Sequence, residues 1–202
     1  MIYEALYILK EEVNSYLASQ GLQEDVVLEN IAFLDSESDA MQPVTDKVVL
    51  TLLNLNEEAT LRNFPNNRVE NNKVTIRNNK ISLNLYILFS SNKTGYDISL
   101  KYLSKVLEFF QGKHIFTQSN TNFNHNDPTL ATMGDFRYTL ELYTPTFENL
   151  NYIWGTLGGR QLPSALYKMS LVVIERDVTL SEAPGISEIT LNGYVSTTTD
   201  ML

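Results

Sequence analysis

The chain has 202 residues, 43% of them hydrophobic and 19% charged, a composition that argues against global disorder and leaves ample material for one core. Its formal net charge of −9 argues against a nucleic-acid binder, which needs a basic stripe to displace counterions; Arg77/Lys80 and Lys101/Lys105 lie among acids or asparagines. Cysteine is absent, which removes disulfides, thiol catalysis and cysteine-based zinc sites. No apolar run approaches the about 20 residues that span a bilayer. MIYEALYILKEEV carries acids where a signal peptide carries bases, so assembly in the cytoplasm is expected.

The spacing predicts an amphipathic helix over 2–18, with Ile2, Leu6, Leu9, Val13, Tyr16 and Leu17 on one face. Glu4, Lys10, Glu11, Asn14 and Ser15 fall mostly opposite, and Gly21 is the stop. Residues 26–35 read as a first strand, and 46–59 as a clearer one with Val48, Leu50, Leu52 and Leu55 inward. The asparagine-rich stretch 62–79 reads as an exposed excursion, with a short hairpin strand at VTIR. KISLNLYILFSS (80–91) places Ile81, Leu83, Leu85, Ile87 and Phe89 on one face and Tyr86 and Leu88 on the other, as in a central strand.

A second helix is predicted over 96–111, with Leu100, Leu103, Leu107 and Phe110 as its buried stripe and Gly112 as its stop. After a polar excursion at 117–129, FRYTLELYT (136–144) reads as a strand with Phe136, Tyr138, Leu140 and Leu142 inward. Pro145 falls at the first turn of a third helix striped by Phe147, Leu150, Trp154 and Leu157, and 166–177 forms the last strand. Together these predict an α+β fold, an α/β sandwich: one domain over 1–177 whose mixed, mainly antiparallel sheet is flanked by about three helices. Residues 178–202 are rich in Ser, Thr and Glu and broken by Pro184 and Gly185, yet keep Ile186, Ile189, Leu191, Tyr194 and Val195. They read either as an extended C-terminal arm that pairs with something, another subunit included, or as a frayed terminus.

Candidate sites are sparse. Asn120, Asn122, Asn124 and Asn126 mimic the opening of a calcium loop, but the places that need Gly and a bidentate Glu hold His125 and Ala131, so no metal is expected. Ser164 lacks a nucleophile elbow, and with only His114 and His125 in the chain no catalytic triad follows from spacing. Gly155, Gly158 and Gly159 follow a helix instead of opening one, which suits a C-cap and not a phosphate cradle. Glu11/Glu12, Glu57/Glu58 and Glu24/Asp25 read as solvated faces, and Asn92-Lys93-Thr94 as a chance glycosylation sequon. Phe147 and Trp154 are expected in the core and Tyr152 at the surface, where it is a candidate partner-binding residue.

The order of motifs adds a resemblance. IYEALYILKEEVNSYL, then LNLYILFS, YDISLKYLSKVLEFFQ, LELYTPTFENLNYIWGTLG and PSALYKMSLVVI together resemble the tail-terminator, or cap, proteins of phage-tail-like contractile injection systems over residues 1–177. The resemblance implies a structural protein and no enzyme. Such proteins form a six-fold ring at the baseplate-distal end of a particle that can leave the cell, where they end growth of inner tube and sheath. It implies self, tube and sheath as partners, no nucleic acid, no membrane insertion, and no catalytic residue or cofactor. The arm would then offer Ile186, Ile189, Leu191 and Tyr194 to a sheath subunit or a neighbouring cap subunit. A collar or baseplate adaptor of the same particle, or a small hydrolase, are the alternatives.

Overall fold

A computed structural model describes residues 1–35, 44–61, 67–70, 73–122, 130, 133–175 and 179–184. The chain divides into two units, one of residues 1–62 and 81–174, the other of residues 63–80 and 175–202.

The larger unit is built on a six-stranded sheet. Its strands are β1 (Val26–Leu28), β2 (Lys47–Glu57), β5 (Ile81–Asn92), β6 (Ile115–Thr117), β7 (Arg137–Leu142) and β8 (Ser164–Ile174), ordered β1-β2-β5-β8-β7-β6. Only β1 and β2 run parallel; the other four pairings are antiparallel. β2, β5 and β8 are long and alternate, so each face of the central sheet receives a different set of apolar side chains.

One set, including Val48, Leu50, Leu85, Ile87, Phe89, Tyr167 and Met169, packs with helices α1 (Ile2–Ser19) and α2 (Tyr96–Gly112). Rings of Phe89, Phe109, Phe110, Phe116 and Tyr167 meet there at centroid separations of 4.7–6.2 Å. The other set, Val49, Leu88 and Leu166, packs with Ile31, Leu34 and Val44 and with Trp154 of α3 (Phe147–Thr156). The sandwich predicted from sequence is therefore present, with cores on both faces of a mixed, mainly antiparallel sheet and three α-helices among the described residues.

Several local expectations change. The strand expected over 26–35 ends at Leu28 and gives way to a 3-10 turn at Ile31–Asp35. Asn30 causes the break: its side-chain oxygen accepts from Ala32 N at 3.0 Å and its carbonyl from Phe33 N at 3.1 Å. Thr51 Oγ1 then donates to Glu29 O at 2.7 Å and accepts from Ile31 N at 3.1 Å, replacing the lost ladder bonds. Strand β6 had no sequence signal, being three residues after a helix stop. In α2 the buried face comprises Ser99, Tyr102, Val106, Phe109 and Phe110, while Leu100 is exposed, so the true stripe lies beside the predicted one. Leu55 and Leu142, expected inward, are exposed. Gly21, at φ 72°, ends α1 with a Schellman pair: Leu22 N to Leu17 O and Gly21 N to Ala18 O, both 3.0 Å.

The second unit contains β3 (Asn67–Glu70) and β4 (Lys73–Arg77), an antiparallel hairpin inside the asparagine-rich stretch, and β9 (Thr179–Pro184). β9 pairs antiparallel with β4, from Lys73 opposite Pro184 to Arg77 opposite Thr179. Within this unit Lys80 Nζ meets Glu175 Oε2 at 2.7 Å.

Candidate functional site

Among the described residues, several buried polar groups are engaged in holding the fold. Asp25, read from sequence as part of a solvated face, is buried at the start of β1. Its two carboxylate oxygens accept from Lys47 at the start of β2 and from Lys93 just after β5. Lys93, 3% exposed at its side chain, also donates to Asp46 O at 2.8 Å and lies 4.5 Å from the centre of the Tyr102 ring. Burial alone would raise the Asp25 carboxyl; the hydrogen bonds and charges of Lys47 and Lys93 outweigh it and hold the group below its ordinary value.

Glu12, also expected on a solvated face, is buried too. It accepts from Lys113 Nζ and from Asn122 N, each at 2.5 Å, tying α1 to the segments flanking β6. Asn14, placed by periodicity on the polar side of α1, is buried as well. Its amide donates to Val26 O at 3.0 Å and accepts from Val26 N at 2.9 Å, which closes the outer edge of β1 as another strand would. In each case a polar side chain is buried because it satisfies a specific group, a fact no hydropathy period encodes.

The sites weighed from sequence resolve similarly. His114 is exposed, and Ser164 opens β8 opposite Ser90. Asn120 is a turn residue: its amide accepts from Thr117 N at 2.8 Å and donates to Ile115 O at 3.0 Å. Asn124, His125, Asn126 and Ala131 lie outside the described residues. Among the described residues no group of three or more His, Asp or Glu is placed to hold a metal ion, and no helix is long and apolar enough to cross a membrane. Asn92 donates its side-chain amide to Val44 O at 2.8 Å, so the sequon nitrogen is used internally. Gly158 and Gly159, at φ 107° and 80°, unwind the end of α3, where Gly159 N donates to Trp154 O at 2.7 Å.

What stands open is the surface around α3. Thr146 caps this helix, accepting from Asn149 N at 3.2 Å, and Pro145 therefore sits one place before the cap instead of in the first turn. Trp154 is buried and Leu150, Ile153 and Leu157 are half-buried against the second core. Phe147, expected in that stripe, is 92% exposed: the helix rests on the sheet from Leu150 onward and its first residue projects beyond it. Tyr152, expected at the surface, is 62% exposed, its hydroxyl 3.3 Å from Glu148 Oε1. Ile186, Ile189, Leu191 and Tyr194 lie outside the described residues.

Two clefts flank α3. One, of about 1100 Å³, runs between Asn30, Asn54 and Asn56 on one side and Tyr143, Asn149 and Tyr152 on the other. The second, of about 910 Å³, is walled by Tyr96, Leu142, Phe147, Leu150, Leu162 and Pro163. Tyr143 borders both and is held edge-on to Tyr86 at 5.4 Å. Sequence reading missed Tyr96, Leu142 and Tyr143 as surface features. The one available signal was the consecutive pair Leu142-Tyr143, which an alternating strand cannot bury on a single face.

Comparison with known proteins gives a consistent picture. A family model described as the Pvc16 N-terminal domain matches residues 5–188. Among solved structures, the chain is similar to the sheath/tube terminator of the extracellular contractile injection system PVC in its extended state, with TM-score 0.61 and 11% identity over 99% of this chain and 65% of that one. It is also similar to the tube-terminating cap of the anti-feeding prophage, with TM-score 0.55 and 15% identity over 96% of this chain and 60% of the other. The chain thus spans less than two thirds of either protein's length, and at these identities the likeness establishes the fold. No curated protein sequence matches it.

Proposed function

The chain belongs to the Pvc16 N-terminal domain family, and on that premise we propose that it is a structural capping subunit of a contractile injection system. In this reading copies of the chain assemble into a six-fold ring at the baseplate-distal end of the particle and end polymerisation of inner tube and sheath. The observation that carries it is the family match over residues 5–188, joined to a fold shared along nearly the whole chain with two proteins described as terminators. A role without catalysis fits the pairing of the buried carboxylates Asp25 and Glu12 with lysines, neither of which lines the two clefts beside α3. Its net charge of −9 per copy makes a ring that repels nucleic acid.

Within that reading the body is residues 1–177 and the arm is 178–202, with Ile186, Ile189, Leu191 and Tyr194 contacting a sheath subunit or a neighbouring cap. All described strands of the six-stranded sheet precede Asp177, so a chain cut there retains that sheet and both of its cores. The truncated protein is expected to fold and to fail to join particles; normal incorporation removes the arm from the proposal. The decisive experiment is electron microscopy of particles from cells with and without the gene. Overlong, disordered or separated tubes and sheaths in its absence are the expected result, and unchanged particles of fixed length refute capping.

A further inference from the structure

The six-stranded sheet covers two of its edges with side-chain amides and leaves a third bare. At β1 the amide of Asn14 meets both backbone groups of Val26. At β6 the amide of Asn120 accepts from Thr117 N and donates to Ile115 O. Each takes the place of a further strand and so blocks one. β2 is different. It pairs with β5 from Lys47 to Glu57, but β1 covers its outer edge only over residues 48–50. Among the described residues no strand lies on the outer side of residues 52–56. Asn54, Leu55 and Asn56 are exposed there. This stretch has no Lys and no Pro, and its one edge protection is a bulge between Leu52 and Asn54. Leu55 N donates to Asn54 Oδ1 at 2.8 Å, a bond within the strand that an incoming carbonyl can replace.

The bare edge borders the larger cleft. Leu52, Leu53, Asn54 and Asn56 line the cleft of about 1100 Å³, and Asn149, Tyr152, Ile153 and Thr156 of α3 line it as well. A groove between a free strand edge and a helix suits an extended chain. The edge offers main-chain groups that another main chain matches at strand spacing, a two-residue repeat of about 6.7 Å. Alternate side chains of such a strand would enter the cleft. There Leu53, Tyr86, Ile153, Leu157 and Leu166, all part of the second core, receive apolar groups. Glu29 is the only charged residue lining the cleft and Glu57 ends β2, so an acidic segment is disfavoured. The described strands of this chain are already paired with one another. In the arm, apolar residues alternate only at Ile189 and Leu191 before Gly193 interrupts, too short a run for this edge.

We propose that the outer edge of β2 and the cleft beside it form a docking groove for an extended segment of a different protein. That segment adds to the six-stranded sheet as a strand beside residues 52–56, with apolar side chains at alternate positions turned into the cleft. The inference goes beyond the capping reading and does not rest on it: particles of normal length without the gene refute capping and leave the groove in place.

The probe is a phage-displayed library of random decapeptides, selected on the full chain. Selected peptides are synthesised and titrated calorimetrically against wild type, Asn54→Lys and Tyr3→Lys. Asn54 is exposed at the bare edge, where lysine guards against strand addition. Tyr3, exposed on α1, is the control, and circular dichroism verifies that both variants fold. The expected peptides carry apolar residues at every second position, bind Asn54→Lys at least about tenfold more weakly than wild type, and bind Tyr3→Lys unchanged. Two further versions of the best peptide are N-methylated on one or the other set of alternate amides. Only one set faces the sheet in an added strand, so one version should lose at least about tenfold in affinity and the other keep it. Failure to select any peptide, peptides that bind Asn54→Lys as well as wild type, or equal effects of the two methylations overturn the inference. A consensus matching residues 186–195 overturns the choice of a different protein and gives the groove to the chain's own arm.

Discussion

Asp25→Asn is the most informative single change to the fold, because it tests whether one carboxylate holds three strand ends together. The substitution keeps the volume and removes the charge facing Lys47 and Lys93. Lys47 is more than a third exposed and can turn its ammonium to water, but the Lys93 side chain is 3% exposed and cannot. Leaving a buried charge unpaired costs about 3–5 kcal/mol. Three contacts remain to Lys93: the Asp46 carbonyl at 2.8 Å, the Asp46 carboxylate at 3.8 Å and the Tyr102 ring at 4.5 Å, which together offset about 1 kcal/mol. The expected loss is therefore about 2–4 kcal/mol, read from urea unfolding followed by the fluorescence of Trp154, the sole tryptophan and part of the same unit. Adding Lys93→Met removes the orphaned ammonium, and the double variant should recover part of the loss. The sign of the pH dependence follows from the lowered Asp25 value. The unfolded chain binds its proton at higher pH than the folded one, so the contribution is complete above about pH 4 and fades as pH falls through the folded value. The acid limb of the wild type should be steeper than that of Asp25→Asn. A loss under about 1 kcal/mol, or a double variant no better than the single one, refutes the reasoning.

Other side chains can be tested in the same assay. Asn14→Ala strips both backbone groups of Val26 of their partner and is expected to cost about 2–3 kcal/mol; a neutral effect would mean that water serves this edge equally well. Thr51→Val keeps the shape and orphans Glu29 O and Ile31 N, for an expected loss of about 1–3 kcal/mol, and hydrogen exchange at Ile31 should rise with it. Phe89→Ala empties the aromatic cluster where α2 meets the sheet and should cost about 3–5 kcal/mol; a value near that of a surface substitution would contradict the packing described.

The sandwich was legible from sequence because its long strands alternate and its helices repeat their apolar positions. KISLNLYILFSS carries residues of both cores, Leu85, Ile87 and Phe89 on one side and Leu88 on the other, and no other placement buries them all. The misses occur where the hydropathy of a residue and its burial part company. Asn14, Glu12 and Asp25 are polar and buried, each at an edge or loop of the sheet where a backbone group or ammonium needs a partner. Asn30 broke an apolar run for a related reason, its side chain offering the backbone a turn in place of a ladder. These partners lie 12 to 110 residues away from Asn14, Asp25 and Glu12 in the chain, beyond the reach of any local period.

Phe147 is the opposite case, and the two kinds of miss have one cause. Periodicity establishes that Phe147, Leu150, Trp154 and Leu157 share one side of a helix; it carries no information on how far the surface beneath them extends. In α3 the sheet supports the stripe from Leu150 onward and stops short of Phe147. A residue chosen only for packing within this chain would gain nothing at that place, since an exposed phenylalanine contributes no burial and adds the hazard of non-specific association. The cleft beside it is lined mostly by apolar and aromatic residues, with Thr144, Thr146, Gln161 and Ser164 among them. The same patterning that builds the core thus carries past its edge at Phe147, the one residue of the α3 stripe that the core leaves fully in solvent.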